Sequence, residues 1–204
     1  MTNIEKENFS IKINNLRKLD LGHERYFDIK DRHHMILKSR IDWIIPRIVG
    51  PRILDIGCAS GITCRLASMK KNIKEIYGID VCKKIIKKAK ELNKDTNIKF
   101  SISFAEELKF KDNYFDSVIL GETLEHVFDE KEAVKESYRV LKPNGKIIIT
   151  VPYKGKVSNQ HVRIFDEESI IELVGGLFKS NEFLIDVKRR KMFYTGYKKE
   201  NKER

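Results

Sequence analysis

The sequence contains little cysteine and proline and no long hydrophobic run. Only 3 of its 204 residues are cysteine and 4 are proline. Cys58, Cys64 and Cys82 are odd in number and lack the paired spacing of a metal site, which argues against a disulfide framework and predicts a reduced, cytosolic compartment. No apolar run reaches membrane-spanning length, and the opening stretch MTNIEKENFS lacks the apolar core of a signal peptide. We therefore expect a cytoplasmic protein with no membrane partner.

Acidic residues are outnumbered by basic ones. The chain has 41 Lys+Arg against 30 Asp+Glu, a formal net charge of +11. Such a charge can favour phosphate-rich partners such as RNA. The run KKIIKKAK (83–90), however, is typical of a solvated helix face, and only KRRKMFYTGYKK (188–199) mixes basic with aromatic residues. Because that tail alternates as a strand does, RNA is the less favoured partner.

Past residue 50, strand-like and helix-like patterns alternate along the chain. The predicted strands cover 52–57, 75–80, 98–103, 115–121 and 146–152, and the predicted helices cover about 61–71, 81–93, 129–141 and 166–175. This alternation predicts right-handed crossovers and a mostly parallel sheet. The tail NEFLIDVKRRKMFYTGYKK predicts two strands joined by a tight turn at 188–191, and so short a connection requires antiparallel pairing. We predict one α/β domain over 51–204, preceded by an N-terminal helical cover or lid over 1–50.

The stretch RILDIGCASG (52–61) joins the first strand to the first helix through a loop with two glycines. Gly57 and Gly61 allow tight turns and a close approach of the backbone to a ligand. In an open α/β sheet, ligands bind beyond the carboxyl ends of the strands. The dinucleotide pattern requires glycine at a first, third and sixth position, but Ala59 and Ile62 stand at the third and sixth. The Gly-Lys-Ser/Thr of a phosphate-binding P-loop is also missing.

Asp80 ends the second predicted strand, in YGID. A carboxylate at this place can accept hydrogen bonds from both hydroxyls of a ribose. The alternative is that Asp80 caps the helix that follows. Both interpretations stay open on the sequence, and one carboxylate could serve both.

Five segments occur in order over about 50–177: ILDIGCASG, YGID, FAEELKFKDNYFDSVI, GETLEHV and YRVLKPNGKIIITVP. Together they resemble the class I S-adenosylmethionine-dependent methyltransferases of the small-molecule type. The resemblance implies a Rossmann-like three-layer sandwich with a mostly parallel seven-stranded sheet, of order 3-2-1-4-5-7-6, that ends in an antiparallel hairpin. It also implies S-adenosylmethionine as the cofactor and S-adenosylhomocysteine as its product.

The resemblance also implies which residues bind the cofactor, from the methionine end through the ribose to the adenine. They are Asp55, Gly57, Cys58, Ala59, Gly61, Asp80, Val81, Ala105, Glu106 and Glu122. The chain departs from the family pattern at two positions. Ala59 replaces a usual glycine, which the loop should tolerate if its φ angle is negative. Phe104 replaces a usual acidic residue that accepts a hydrogen bond from the adenine amino group.

The reaction that the resemblance implies is methyl transfer to an oxygen or nitrogen of a small-molecule acceptor. Positioning supplies most of the rate, and a hydroxyl acceptor also needs a base or a metal. His161, His126 and Glu122 are the catalytic candidates. For His126, packing at the start of the next helix is the favoured alternative, and for His161 a shielding role is an equal one.

Glu122, Glu125 and His126 form the pattern E-x-x-E-H. It resembles the metal-binding stretch of small-RNA 3′-end methyltransferases and of ubiquinone-pathway O-methyltransferases, and His161 would be a fourth ligand. Carboxylates with imidazoles suit a divalent ion that activates an acceptor hydroxyl. Metal-free members also carry LEHV, so a divalent metal is an alternative that the sequence does not favour.

The N-terminal segment resembles the variable lid that family members close over the acceptor. Tyr26 and His33 are candidates for acceptor binding, together with Arg163, which could bind an acidic acceptor bidentately. Trp43 fits either a lid or the core, and Pro46 is expected to end or kink the first helix.

Three other functions remain as alternatives to a small-molecule methyltransferase. RNA binding that weakens steeply with salt would favour an RNA methyltransferase. Cofactor binding without turnover would indicate a non-catalytic S-adenosylmethionine-binding protein. Nicotinamide binding without S-adenosylmethionine binding would indicate an oxidoreductase.

Overall fold

A computed structural model describes residues 32–154 and 161–199, with side chains from residue 39 onward. The helices are α1 Arg32–Arg47, α2 Ile62–Ser68, α3 Lys83–Leu92, α4 Glu130–Val140 and α5 Glu167–Gly175. The strands are β1 Arg52–Ile56, β2 Glu75–Asp80, β3 Lys99–Ile102, β4 Phe115–Gly121, β5 Leu141–Pro152, β6 Phe178–Asp186 and β7 Lys191–Lys198. Among the described residues, no helix has the length and apolarity that a membrane crossing requires.

The strands form a single seven-stranded sheet of order β3-β2-β1-β4-β5-β7-β6. The first five strands in this order pair in parallel, and β7 pairs antiparallel with both β5 and β6. The predicted fold class and strand order are therefore confirmed. The turn between β6 and β7 covers 187–190, one residue before the predicted range, because Lys191 already pairs with Pro152 in the ladder.

The central strands are apolar on both faces because helices and loops cover both sides of the sheet. Ile53, Ile119 and Ile148 pack on the face that α1 covers, in a cluster with Trp43 and Phe193. The residues that alternate with them lie in the larger cluster on the opposite face. Full burial of each such side chain contributes about 1.5–3 kcal/mol. The two clusters hold the strand ends, and thereby the loops after them, in fixed positions.

Helix α1 packs against the sheet through its second half. Trp43 is 8% exposed and its ring centroid lies 5.1 Å from that of Phe193 in β7. Of the two interpretations of Trp43, the core interpretation is therefore correct. Pro46 lies within the last turn of the helix, which ends one residue later at Arg47. The division of the chain at residue 50 stays a prediction.

Candidate active site

An open cleft lies where β1, β2, β3 and β4 end. The last residues of these strands and the loops that follow them supply its lining residues. They are Ile56, Gly57, Asp80, Val81, Ser103, Phe104, Ala105, Glu106, Thr123, His126 and Val127. The cleft occupies the place at which an open α/β sheet binds its ligands.

The glycine loop after β1 has backbone conformations that only glycine adopts without strain. Gly57 has a φ of +71°, and a Cβ at this position would lie 2.5 Å from Thr123 Oγ1. Gly61 has a φ of +82°, and its Cβ would lie 2.5 Å from the Phe100 ring. Ala59 also has a positive φ, of 47°, so the condition under which the sequence expected it to be tolerated is not met. The loop carries this strain at Ala59, where glycine would be more stable.

Asp55 is the buried carboxylate of β1, and only 3% of its surface is exposed. The Cys64 thiol of α2 donates to its Oδ2 at 3.4 Å. Burial raises the pKa of Asp55 to about 7, and the neighbouring Asp80 raises it further, while Cys64 and Arg40 act in the opposite direction. A positively charged ligand at this end of the cleft would favour the ionised form of Asp55.

Asp80 is 2% exposed, and its Oδ1 accepts the backbone N–H of Cys82 at 2.9 Å. Helix α3 begins at Lys83, and its N-cap residue is Cys82. Asp80 therefore shapes the turn before the helix and is not the N-cap. Because it also lines the cleft, its carboxylate is placed where a ribose would be bound.

Four consecutive residues after β3, 103–106, line the next part of the cleft. Phe104 and Ala105 belong to the lining, so an apolar ring stands where the family pattern has an acidic side chain. Glu106 also lines the cleft, and its Oε1 accepts the backbone N–H groups of Phe128 and Asp129 at 2.7 and 3.2 Å. The Glu106 side chain thus fixes the loop between β4 and α4.

Glu122 follows β4 with a φ of 57°, in the left-handed region. Its N–H donates to the Thr150 carbonyl at 2.8 Å, which ties the loop to β5. Its carboxylate forms an ion pair with Lys191 of β7 and lies 3.7 Å from Arg40 of α1. Burial works to raise the pKa of Glu122, but the charges of Lys191 and Arg40 outweigh it, and the pKa is lowered. Glu122 is therefore a charged carboxylate next to Thr123, which lines the cleft.

Glu125, His126 and His161 lie together although the last is distant in sequence. One possible ligand atom from each lies within 4.8 Å of the others, and the two imidazole rings meet edge to face at 4.9 Å between centroids. Burial raises the pKa of Glu125 to about 8, with a further contribution from the charge of Glu122. Burial also lowers the pKa of His161. The structure therefore groups three members of the predicted metal set, while Glu122 pairs with Lys191.

Arg163 holds the loop between β4 and α4 from the side of residues 161–165. Its Nη1 donates to the carbonyls of Leu124 and Val127, both at 2.7 Å, and its Nη2 donates to that of Phe128 at 3.0 Å. The same guanidinium forms an ion pair with Glu130 at 3.0 Å. These contacts engage the guanidinium nitrogens of Arg163 that were predicted to bind an acidic acceptor. They favour a positioning role for Arg163.

Thr123 and Lys191 belong to the site but were not predicted from the sequence. Thr123 Oγ1 donates to the Ile56 carbonyl at 2.8 Å and so joins the loop after β4 to the end of β1. Lys191 reaches Glu122 across 69 residues of sequence. Nothing local distinguishes Lys191 from the basic residues of the turn before it, because only the β5-β7 pairing brings it to the site.

The structure does not describe the side chains of the two predicted acceptor-binding residues of the N-terminal segment. Tyr26 lies outside the described residues. His33 lies in α1, and its side chain is outside the described part. Their assignment to the acceptor stays a prediction.

Comparisons with known proteins match both the sequence and the fold. A protein-family model described as "Methyltransferase domain" matches residues 54–149. A ubiquinone/menaquinone biosynthesis C-methyltransferase of Rickettsia felis is 33% identical over 166 residues, which cover 75% of this chain and 66% of that protein. Phosphoethanolamine N-methyltransferase 2 of Caenorhabditis elegans is 33% identical over 109 residues, which cover 52% of this chain and 25% of that protein.

A solved structure resembles this fold as a whole. The PH0226 protein of Pyrococcus horikoshii superposes with a TM-score of 0.72 at 22% sequence identity, over 86% of this chain and 95% of that one. This chain spans no more than 66% of the length of the two relatives compared above. The matched domain, these relatives and the sheet order together show that the chain belongs to the class I S-adenosylmethionine-dependent methyltransferase family.

Proposed function

We propose that this protein is an S-adenosylmethionine-dependent methyltransferase that acts on a small molecule. The observation that carries the proposal is the cleft itself, in which Gly57, Asp80 and Ala105 converge from the ends of three neighbouring strands. A side chain at position 57 would collide with Thr123, so the glycine lets the loops after β1 and β4 approach each other closely beside the cleft. S-adenosylmethionine, when bound, supplies an electrophilic methyl group on a positively charged sulfur.

The acidic residues of the cleft suit such a ligand. In the proposed complex, Asp80 accepts hydrogen bonds from the ribose hydroxyls, and Asp55 contributes negative charge toward the methionine end. Val81 and Phe104 provide apolar surface for the adenine, and the backbone of Ala105 meets its edge. The missing acidic residue at Phe104 leaves the adenine held by packing and by backbone contacts.

The acceptor would enter beside His126, which lines the cleft next to Thr123. Glu122 and His161 lie near this end and are the proposed catalytic groups. They orient the acceptor and take up its proton, and positioning alone can lower the barrier by about 7 kcal/mol or more. Arg163 and Glu106 hold the loop that carries these groups.

The proposed acceptor atom is an oxygen or a nitrogen. The nematode relative is named an N-methyltransferase, whereas the rickettsial relative is named a C-methyltransferase of ubiquinone and menaquinone biosynthesis. A carbon acceptor is therefore the alternative that deserves the same assay. A labelled-methyl assay with phenols, amines, quinols and RNA distinguishes these acceptor classes directly.

Calorimetry with S-adenosylhomocysteine tests cofactor binding, the first step of the proposal. We expect Asp80→Asn to weaken binding about 10- to 100-fold, because hydrogen bonds to a charged group contribute about 1.5–3 kcal/mol. Asp95→Asn is the matched control, since Asp95 is an exposed partner of Arg65. Equal binding by both variants would contradict the role of Asp80, and binding of a nicotinamide dinucleotide in place of S-adenosylhomocysteine would contradict the function. Binding of S-adenosylhomocysteine with no transfer to any acceptor class would indicate a non-catalytic binding protein.

A further inference from the structure

Glu125 is a buried carboxyl group whose hydrogen-bonding capacity is unused in the described part of the chain. The residue is 1% exposed. Neither carboxyl oxygen has a hydrogen-bond partner among the described residues. A buried polar group left in this state costs about 1–3 kcal/mol, and more when it is charged. A ligand that satisfies these oxygens would recover that free energy.

Two imidazoles face the same space as this carboxyl group. A ring nitrogen of His126 and one of His161 lie within 4.8 Å of each other and of a Glu125 oxygen. Metal–ligand bonds to nitrogen and oxygen are about 2.0–2.2 Å long, so two ligands of one ion lie at most about 4.4 Å apart. The three atoms lie close to this limit, and small side-chain rotations that draw them inward would let a single ion contact all three. First-row transition metals bind a set of two imidazoles and one carboxylate more readily than Mg²⁺ or Ca²⁺ do.

The backbone holds the three residues in this arrangement. The His126 N–H donates to the Thr123 carbonyl at 2.9 Å, which forms a turn directly after β4. The N–H of Val162, next to His161, donates to the Glu125 carbonyl at 2.9 Å. Arg163 adds two bonds to carbonyls of the same loop, those of Leu124 and Val127. The site is therefore built from two segments that are fixed to each other.

Glu122 does not belong to this donor set in the structure. Its carboxylate is already paired with Lys191 and lies close to Arg40. The charges of Lys191 and Arg40 are thus partly balanced by Glu122, which lowers their repulsion of a nearby cation.

We propose that Glu125, His126 and His161 bind one divalent transition-metal ion of the Zn²⁺, Mn²⁺ or Fe²⁺ class beside the cleft. Three protein ligands leave at least one coordination position open. His126 also lines the cleft, so the open position lies at the acceptor end of the proposed methyltransferase site.

The role of the open position rests on the proposed function, whereas metal binding does not. With the ion bound, His161 is a metal ligand and does not act as the base. An acceptor hydroxyl at the open position then loses its proton to water, because the ion stabilises the resulting alkoxide or phenolate. The oxygen then forms a bond to the methyl carbon as the carbon–sulfur bond breaks. The electron pair of that bond stays on sulfur, and the products are a methyl ether and the neutral thioether of S-adenosylhomocysteine.

The test measures binding of Co²⁺, as a spectroscopic substitute for Zn²⁺, to the full chain after chelator treatment. We expect one Co²⁺ per protein with visible absorption bands, and at least about tenfold weaker binding by Glu125→Gln and by His161→Ala. Glu125→Gln preserves the size of the side chain, and a melting curve confirms that it folds. Glu182→Gln is the matched control, since Glu182 pairs with Arg47 outside the site.

Glu122→Gln separates the three-ligand site from the four-ligand site that the motif suggests. We expect it to bind Co²⁺ within about threefold of the original chain, and loss of binding as severe as that of Glu125→Gln would overturn the three-ligand assignment. Equal Co²⁺ binding by Glu125→Gln and the original chain, or no stoichiometric binding at all, would refute the site. Calorimetry with S-adenosylhomocysteine on the same metal-free protein tests the cofactor cleft separately, so either proposal can fail while the other stands.

Discussion

Replacement of Asp55 by asparagine should make the protein more stable at neutral and alkaline pH. Asp55 is buried in β1, and burial raises the pKa of this carboxyl from 3.8 to about 7. In the unfolded chain the group loses its proton near pH 4, but in the folded chain it keeps the proton until about pH 7. Between these values the folded state binds more protons, so stability falls as pH rises.

The expected size of this effect follows from the same two pKa values. At about 1.36 kcal/mol per pH unit, the folded protein loses about 3 kcal/mol between pH 5 and pH 8 because Asp55 must ionise in a buried site. Asparagine has no such proton to lose, and its side-chain carbonyl can still accept the Cys64 thiol. The difference in unfolding free energy between Asp55→Asn and the original chain should therefore grow by about 3 kcal/mol over that range.

Urea unfolding of both proteins at several pH values measures this difference. Other groups titrate equally in the two proteins, so their contributions cancel in the comparison. A constant difference from pH 5 to pH 8 would refute the assignment of a raised pKa to Asp55. In the presence of S-adenosylmethionine the pH dependence should move to lower pH, because a cationic ligand favours the ionised carboxylate.

Three further substitutions test the loops around the cleft. Gly57→Ala should lower the unfolding free energy by at least about 2 kcal/mol, because its φ is +71° and the new methyl group would meet Thr123 Oγ1 at 2.5 Å; an unchanged melting temperature would contradict this. Ala59→Gly should raise the unfolding free energy by about 0.5–1 kcal/mol by removing the cost of a positive φ, whereas the same change at Ala67 in α2 should lower it by a similar amount. Arg163→Ala should lower the unfolding free energy by about 2–3 kcal/mol, because the bonds to three carbonyls and the ion pair with Glu130 are lost. Arg163→Lys should recover little of this loss, because an ammonium group cannot reproduce the planar geometry of the guanidinium. If Arg163 instead bound the acceptor, Arg163→Ala would raise KM and leave stability unchanged.

Much of the fold follows from short-range features of the sequence. The alternation of strand and helix patterns predicted β2 and β4 with their observed bounds, since the apolar runs of central strands are bounded by turn residues. The strand order came from the resemblance to a family and is confirmed. The strand ends place Asp55, Gly57 and Asp80 on one edge of the sheet, because parallel strands end together.

The alternation of strand and helix patterns could not predict the conformation of single loop residues. The positive φ of Ala59 depends on how its loop closes against β2, where Gly57 and Cys58 both donate to the Ile79 carbonyl. Whether Asp80 caps α3 depended on where the helix begins, and a shift of two residues decided against it. Such differences are small in energy and arise from contacts between segments.

The sequence by itself determined the fold class, the family and the edge of the sheet at which the cleft lies, because periodicity and motif spacing are local properties of the chain. Only the tertiary structure decided which partners the polar residues after β4 and in 161–163 contact. It paired Glu122 with Lys191 across the sheet, turned Arg163 onto the carbonyls of the loop after β4, and placed His161 against Glu125 and His126. Each of these outcomes depends on distances between segments far apart in sequence, which packing sets and which no local pattern encodes.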